Sequence, residues 1–270
     1  INIHYYVGGK GPVCLFPTPG WGPSIEIYKN SLKAFEQHFT MVWYDTRISG
    51  KSSGPDDPTK YSSQDFLKDM EGLRVYLNQS KIWVAGHSMG GFQTLYYGIN
   101  YPEKLNGIIT LAAFAGRDSI YQVEFSKMIM KRKDKPYFKN GYNLFYGLDT
   151  NRYTISEAMS FIFPFYFHDE QKIAVFEQLG DPSLSDKADK YTTASNFGVE
   201  YLFPELHKIN VPALIISGDD DFVCDQVSQA ERIQQNIANS ELLLIKDAGH
   251  FMWIEQPEAF FAGLELWLKK

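Results

Sequence analysis

One serine stands out among the residues that could carry chemistry. The chain has the pattern G-x-S-x-G in the segment Gly86-His87-Ser88-Met89-Gly90. In this pattern a sharp turn between a strand and a helix exposes the serine hydroxyl as a nucleophile. An apolar run precedes Ser88 and a helix-like periodicity follows it, so partial positive charge at the helix start would lie beneath a developing oxyanion. We therefore predict that Ser88 is the nucleophile of an acyl transfer.

A nucleophilic serine needs a histidine as general base and a carboxylate that orients this histidine. Three histidines follow Ser88 in the chain, namely His168, His207 and His250. His250 lies in the loop 246–251, directly after a strand-like run, whereas the other two lie within or at the end of an irregular segment. Because parallel strands end at one edge of a sheet, His250 is the predicted base.

The orienting carboxylate has four candidates, all of which follow the strand-like run Ala213–Ser217. They are Asp219, Asp220, Asp221 and Asp225. Aspartate is also favoured in turns, so position alone leaves the choice among these four open.

Alternating strand-like and helix-like runs must position these side chains. The alternation predicts an α/β fold with a mostly parallel, doubly wound sheet and helices on both faces. The predicted strands are Ile1–Val7, Val13–Phe16, Thr40–Tyr44, Ile82–Ala85, Gly107–Ala112, Ala213–Ser217 and Leu242–Ile245. The predicted helices are Ile25–Gln37, Ser63–Leu77, Gly90–Asn100, Gln226–Ile237 and Pro257–Leu268.

The alternation stops between Phe114 and Phe203, where the pattern is helical, irregular and rich in aromatic residues. We predict that residues 114–203 form a helical cap inserted between two strands of the sheet. Residues 1–113 and 204–270 would then form the core of the α/β fold.

With these features the chain resembles the α/β-hydrolase superfamily over essentially its whole length. Two segments resemble those of proline iminopeptidase-like enzymes: 16–22 is similar to their H-G-G-P-G loop, and 44–53 to their D-x-R-G-x-G-x-S motif. The resemblance implies the chain order serine, acid, histidine. It also implies that the acid is Asp221, because the family places a glycine three residues before it, here Gly218. Asp220 is the alternative.

The resemblance further implies the position of the oxyanion hole. One backbone N–H would come from Thr18 and the other from Met89, the residue after the nucleophile. This chain departs from the family in having Pro17 where a glycine is usual, and proline has no N–H to donate. The segment around Asp45 is expected to hold its loop together and not to contact substrate.

We therefore expect a serine hydrolase that cleaves a small, largely apolar carboxylic ester or lactone through an acyl-enzyme. The aromatic residues of 114–203, together with Trp21 and Trp253 beside the predicted catalytic loops, indicate an apolar pocket. An N-terminal aminopeptidase of the proline iminopeptidase type is the alternative, although that family usually has tryptophan where this chain has Met89. A non-catalytic ligand-binding receptor on the same fold is an alternative from another class.

Composition excludes other classes. The formal net charge of -6 and the pI of about 5.5 argue against nucleic-acid binding, and no stretch is long and apolar enough to span a membrane. Cys14 and Cys224 are predicted to be free thiols, and the dispersed histidines predict no metal and no cofactor. A small molecule is the expected partner, and the oligomeric state is left open. Because the chain begins at Ile1, the compartment is also left open, with the cytoplasm favoured and a removed signal peptide as the alternative.

Overall fold

Seven strands form a single sheet in a computed structural model that describes all 270 residues. The strands are β1 (Tyr5–Gly9), β2 (Val13–Pro17), β3 (Thr40–Tyr44), β4 (Ile82–His87), β5 (Leu105–Leu111), β6 (Ala213–Gly218) and β7 (Ser240–Ile245). Their spatial order is β1-β3-β2-β4-β5-β6-β7. The β1–β3 pair is antiparallel and every other pair is parallel, which confirms the predicted fold class.

The inner strands carry the core. All residues of β6 are buried, and β2, β3, β4 and β5 are buried at nearly every position. Both faces of these strands are covered, which explains why their sequences are continuous apolar runs. The edge strand β1 begins at Tyr5 instead of Ile1, because the preceding residues bond to the loop after β3: the amide of His4 donates to Ser52 Oγ at 2.8 Å.

Helices flank the sheet. They are α1 (Glu26–Ser31), α2 (Ser63–Tyr76), α3 (Met89–Asn100), α4 (Ser119–Met130), α5 (Phe138–Phe145), α6 (Ile155–Ile162), α7 (Ile173–Glu177), α8 (Asp186–Ala194), α9 (Glu231–Asn236), α10 (Met252–Glu255) and α11 (Pro257–Leu268). None of them combines the length and the apolarity that a membrane crossing requires.

Two predicted helices are interrupted. The first ends early as α1 and continues as a 3₁₀ turn over Lys33–Gln37. At the break the Ser31 hydroxyl donates to the carbonyl oxygen of Ile27 at 2.7 Å, a bond that weakens and bends helices. The second opens with a π-helical turn over Gln226–Ala230 before α9, a feature that is frequent at functional sites.

Between β5 and β6 the chain forms helices α4 to α8 and short 3₁₀ turns, without a strand. This stretch contributes to a small cluster of buried side chains, which comprises Met128, Ile129, Phe165 and Phe222. The division of the chain into a core and a cap at 114–203 stays a prediction.

Candidate active site

Ser88 occupies a sharp turn between β4 and α3. Its backbone lies at φ 57° and ψ -120°, a conformation that costs free energy for any residue with a side chain. The flanking glycines make the turn sterically feasible. A Cβ on Gly86 would lie 2.2 Å from the carbonyl oxygen of Gly90, and one on Gly91 would lie 2.7 Å from Cβ of Ala113. The structure thus contains the strand, turn and helix that the G-x-S-x-G pattern predicts.

His250 and Asp221 form a buried pair at the ends of β7 and β6. The distance from His250 Nδ1 to Asp221 Oδ2 is 2.7 Å, and the two side chains are 2% and 0% exposed. The second carboxylate oxygen of Asp221 accepts the amide protons of Val223 and Cys224 at 2.9 and 3.0 Å. These bonds hold the carboxylate in place, and they leave Nε2 of His250 as its free ring nitrogen. His250 and Ser88 line the same cavity.

The alternative acid, Asp220, is engaged elsewhere. Its carboxylate lies 3.1 Å from the buried guanidinium of Arg132 and 3.2 Å from both Lys131 Nζ and His168 Nδ1. Asp220 therefore ties α4 and its C-terminal turn to the end of β6, and His168 lies against Asp220.

The remaining candidates for the acid and the base make hydrogen bonds outside the His250–Asp221 pair. Asp219 accepts the amide proton of Ala248, and Asp225 accepts that of Ser228 in the π-helical turn. His207 is exposed, and its ring contacts the carbonyl oxygen of Pro204.

His87, which the sequence analysis did not identify, contacts the backbone of His250. Its Nε2 lies 3.0 Å from the carbonyl oxygen of His250, and its Nδ1 lies 3.1 Å from the hydroxyl of Tyr28. Because a carbonyl oxygen can only accept, Nε2 of His87 carries the proton and Nδ1 accepts from Tyr28. Burial, together with the nearby His250, holds the pKa of His87 well below its usual value. The ring is therefore neutral in the folded protein.

A cavity of about 940 Å³ opens onto Ser88 and His250, and 16 of its 31 lining residues are hydrophobic. Aromatic side chains from the stretch between β5 and β6, such as Phe163 and Tyr166, form part of its wall. Its lining includes the acidic residues Glu177, Asp181 and Asp189, and also Arg117. Burial, with the charge of Asp186, raises the pKa of Asp189.

The structure places the two predicted pocket tryptophans differently. Trp21 lines the cavity. Trp253 does not: it is 2% exposed, packs against His87 and Tyr28, and donates its indole N–H to Ser31 Oγ at 2.9 Å. The prediction of Trp253 as a pocket residue is wrong, because α10 turns its side chain into the core.

The two predicted oxyanion donors differ in whether their amides are already hydrogen-bonded. Met89 is the first residue of α3 and lines the cavity, and an amide at this position has no acceptor within its own helix. Thr18 is fully buried, and its amide donates to the carbonyl oxygen of Tyr44 at 3.2 Å, which extends the β2–β3 ladder by one residue. The geometry therefore argues against Thr18 as a donor. The amides of Gly20 and Trp21, further along the same loop, bond to no other protein group.

Both cysteines are buried and free, as predicted. Cys224 lies beside the buried pair, and its sulfur is within 4.8 Å of ligand atoms of Asp221 and His250. Burial, with the charges of Asp221 and Asp225, raises the pKa of the Cys224 thiol well above its usual value. A protonated thiol and a carboxylate with three N–H donors are poor metal ligands, so the arrangement suits acid–base chemistry better than metal binding.

Comparisons with known proteins agree with this fold. Residues 12–257 match the model of the alpha/beta hydrolase fold family. The chain belongs to this family.

Two relatives of similar sequence are named for different activities. A proline iminopeptidase of Lactobacillus helveticus is 27% identical over 242 residues, which cover 84% of this chain and 79% of the relative. The 3-oxoadipate enol-lactonase 2 of Acinetobacter baylyi is 24% identical over 275 residues and covers 100% of this chain and 94% of its own. Both relatives are hydrolases.

Solved structures share the fold. An enol-lactonase from Burkholderia xenovorans LB400 superimposes with a TM-score of 0.75 at 21% identity, covering 99% of this chain and 96% of that one. An esterase from Exiguobacterium antarcticum superimposes with a TM-score of 0.73 at 22% identity and the same coverage. Together with the family match over residues 12–257 and the two sequence relatives, this makes the protein a hydrolase of the α/β fold.

Proposed function

We propose that the protein is a serine hydrolase that cleaves apolar carboxylic esters or lactones through an acyl-enzyme. The observation that carries this proposal is the buried His250–Asp221 pair, 2.7 Å apart, beside a cavity that Ser88 also lines. A histidine held by a carboxylate, next to a serine in a strained turn, is the arrangement that acyl transfer requires.

In the proposed acylation Ser88 Oγ attacks the carbonyl carbon of the substrate. Nε2 of His250 accepts the serine proton and then donates it to the leaving alcohol oxygen, which breaks the ester bond. Asp221 accepts the hydrogen bond from Nδ1–H, which stays on the ring, and its charge stabilises the imidazolium that forms. Water then attacks the acyl-enzyme by the same route and releases the acid and free Ser88. For a lactone, the leaving alcohol stays attached to the acyl chain.

The proposed oxyanion donors are the amides of Met89 and Trp21. The Met89 amide is free at the start of α3, and the Trp21 amide is free in a loop that lines the cavity. Trp21 replaces Thr18 in this role because the Thr18 amide is already bonded to Tyr44. Backbone donors at a fixed position stabilise the negative charge of the tetrahedral intermediate without reorganisation.

The cavity supports an apolar acyl group as the recognised part of the substrate. Its volume of about 940 Å³ is at the upper end of small-molecule sites, and this favours a longer acyl chain than that of an acetyl ester. The names of the lactonase and esterase with the same fold are consistent with this class.

A fluorophosphonate probe tests the nucleophile. We expect covalent labelling of the native protein at Ser88. We expect Ser88→Ala to lose this labelling and to lower kcat on p-nitrophenyl octanoate by about a million-fold, the order of loss when the nucleophile of such a triad is removed. Binding of an ester without turnover or labelling would contradict the proposal and favour a receptor.

An N-terminal aminopeptidase is the second candidate. It is favoured by the three carboxylates in the cavity lining, Glu177, Asp181 and Asp189, which could pair with a substrate ammonium group. Rates on p-nitrophenyl esters, lactones and prolyl-β-naphthylamide separate the candidates. A clear preference for the prolyl substrate would replace the esterase proposal with this one. In that case Asp189→Asn should lower the rate on the prolyl substrate.

A further inference from the structure

A buried glutamate that the proposed chemistry does not use contacts the backbone next to His250. Glu255, at the end of α10, is 4% exposed. Its Oε2 accepts the amide proton of Gly249 at 2.6 Å, and its Oε1 accepts those of His168 and Asp169 at 2.8 and 2.9 Å. One carboxylate therefore joins two backbone segments that are about 80 residues apart in the chain.

Three amide donors converge on this carboxylate, and an ionised carboxylate suits them because it only accepts hydrogen bonds. Bonds from N–H groups to an ionised group are about twice as strong as those between neutral groups. Burial raises the pKa of Glu255, while the three amide bonds and the charge of His168 oppose this rise. The three bonds are thus what makes a charge tolerable in this place.

The two joined segments both reach the cavity. Gly249 immediately precedes His250, and the amide of His250 itself donates to the carbonyl oxygen of Tyr166 at 2.8 Å. The Tyr166 ring lines the cavity and lies 5.0 Å from the His250 ring, centroid to centroid. The packing is tight, since a Cβ on Gly249 would lie 2.4 Å from the Tyr166 carbonyl oxygen.

We propose that Glu255 is a positioning residue that locks the backbone of the His250 loop to the Tyr166–Asp169 segment, so that the base and the pocket wall keep one relative position. The proposal rests on the proposed function, in which His250 is the base. Glu255 does not touch the substrate and acts through His250.

Glu255→Gln tests the proposal because it has the same shape but only one acceptor oxygen. That oxygen can keep the two amide bonds of His168 and Asp169, and the new NH₂ group then faces the Gly249 amide, donor against donor. We expect kcat on p-nitrophenyl octanoate to fall about 10- to 100-fold, since small displacements of catalytic groups have effects of this size, with KM within threefold of the native value. Glu255→Asp keeps two acceptor oxygens on a shorter side chain, so its kcat should fall less than that of Glu255→Gln. It replaces Glu255→Gln as the test if that variant does not fold.

Asp45→Asn is the matched control. Asp45 is also a buried carboxylate that accepts two amide protons, from Ile25 and Lys51 at 2.8 and 2.9 Å, but it has no bond to the His250 loop. This variant should lose thermal stability and keep kcat within about threefold. All rates are measured well below each melting temperature.

The outcomes separate the two proposals. If the native protein neither hydrolyses esters nor reacts with the probe, the proposed function fails. If the native protein does both, and Glu255→Gln and Glu255→Asp melt earlier but keep the native kcat, Glu255 is only structural and the inference is overturned. A rise in KM alone would overturn it as well.

Discussion

Two regions of the molecule contribute to one cavity in different ways. Ser88, Asp221 and His250 lie at strand ends, on a core cluster of 53 buried residues, and buried hydrogen bonds orient the acid and the base. The aromatic wall comes largely from helices and turns between β5 and β6, and it meets the substrate through apolar side chains such as Phe163. Part of this stretch packs on the core cluster through Phe167 and Phe176, and part forms a small separate cluster with Phe222. The difference indicates that substitutions in the wall can alter substrate range while the reacting groups stay in place.

After the loss of Ser88 itself, the largest effect should come from replacing the acid at the end of β6. We expect Asp221→Asn to lower kcat about 10,000-fold, because the amide no longer favours the correct tautomer of His250. Steady-state rates on p-nitrophenyl octanoate measure this.

Asp220→Asn is the neighbouring control. It should lower stability by weakening the pair with the buried Arg132, yet keep kcat within about tenfold below the melting temperature. A greater loss of kcat in Asp220→Asn than in Asp221→Asn would show that the acid is misassigned.

A smaller effect is expected where the two regions touch. Gly249→Ala adds a Cβ that would lie 2.4 Å from the Tyr166 carbonyl oxygen, so the His250 loop must shift. We expect a loss of about 1–3 kcal/mol in the free energy of unfolding, typical of overpacking, and a lower kcat. Denaturant titration and ester kinetics measure both.

Gly72→Ala is the control for this change. A Cβ at Gly72, in the interior of α2, meets no atom within 4 Å, and alanine has the higher helix propensity. It should therefore stabilise the protein by about 0.5–1 kcal/mol. Equal stability of the two alanine variants would mean that the contact at Gly249 relaxes freely.

Within the wall, Phe163→Ala should change recognition more than chemistry. Phe163 lines the cavity and packs against Phe176, with ring centroids 4.8 Å apart. We expect kcat/KM for an octanoyl ester to fall about 10-fold or more, the effect of lost apolar contact, while that for an acetyl ester changes less than threefold.

Phe138→Ala provides the comparison for Phe163→Ala. Phe138 packs against the small buried cluster and does not line the cavity. Its loss should lower stability without altering chain-length preference, and an altered preference would contradict the assignment of Phe163 as a wall residue.

The smallest effect concerns His87 and the pH dependence of stability. The folded state holds the pKa of His87 well below 6.5, so below about pH 6.5 the unfolded state binds a proton that the folded state does not. Stability should therefore decrease as pH falls, by up to about 1.4 kcal/mol per pH unit for one proton. His87→Gln should make this slope shallower in denaturant titrations between pH 4.5 and 7. The exposed His207→Gln is the control, and an equal change in both variants would contradict the assignment.

Much of the fold and part of the candidate site could be predicted because they depend on short stretches of chain. The continuous apolar runs of β2 to β6 reflect burial on both faces, and the turn at Ser88 needs small residues at Gly86, Gly90 and Gly91. The prediction of His250 and Asp221 rests on their positions after predicted strands and on the family resemblance. In the structure the two side chains are in contact.

Other features depend on where distant segments meet. Whether Trp253 faces the cavity or the core follows from the packing of α10, and whether the Thr18 amide is free depends on how far β2 continues along β3. The support of His250 by His87 and the junction at Glu255 join residues far apart in the chain, so no local pattern indicates them. Local sequence therefore identifies which groups can react. Only the packed tertiary structure decides which hydrogen-bonding groups are already satisfied and which remain free to act on a substrate, because each buried donor or acceptor takes whichever partner the fold places beside it.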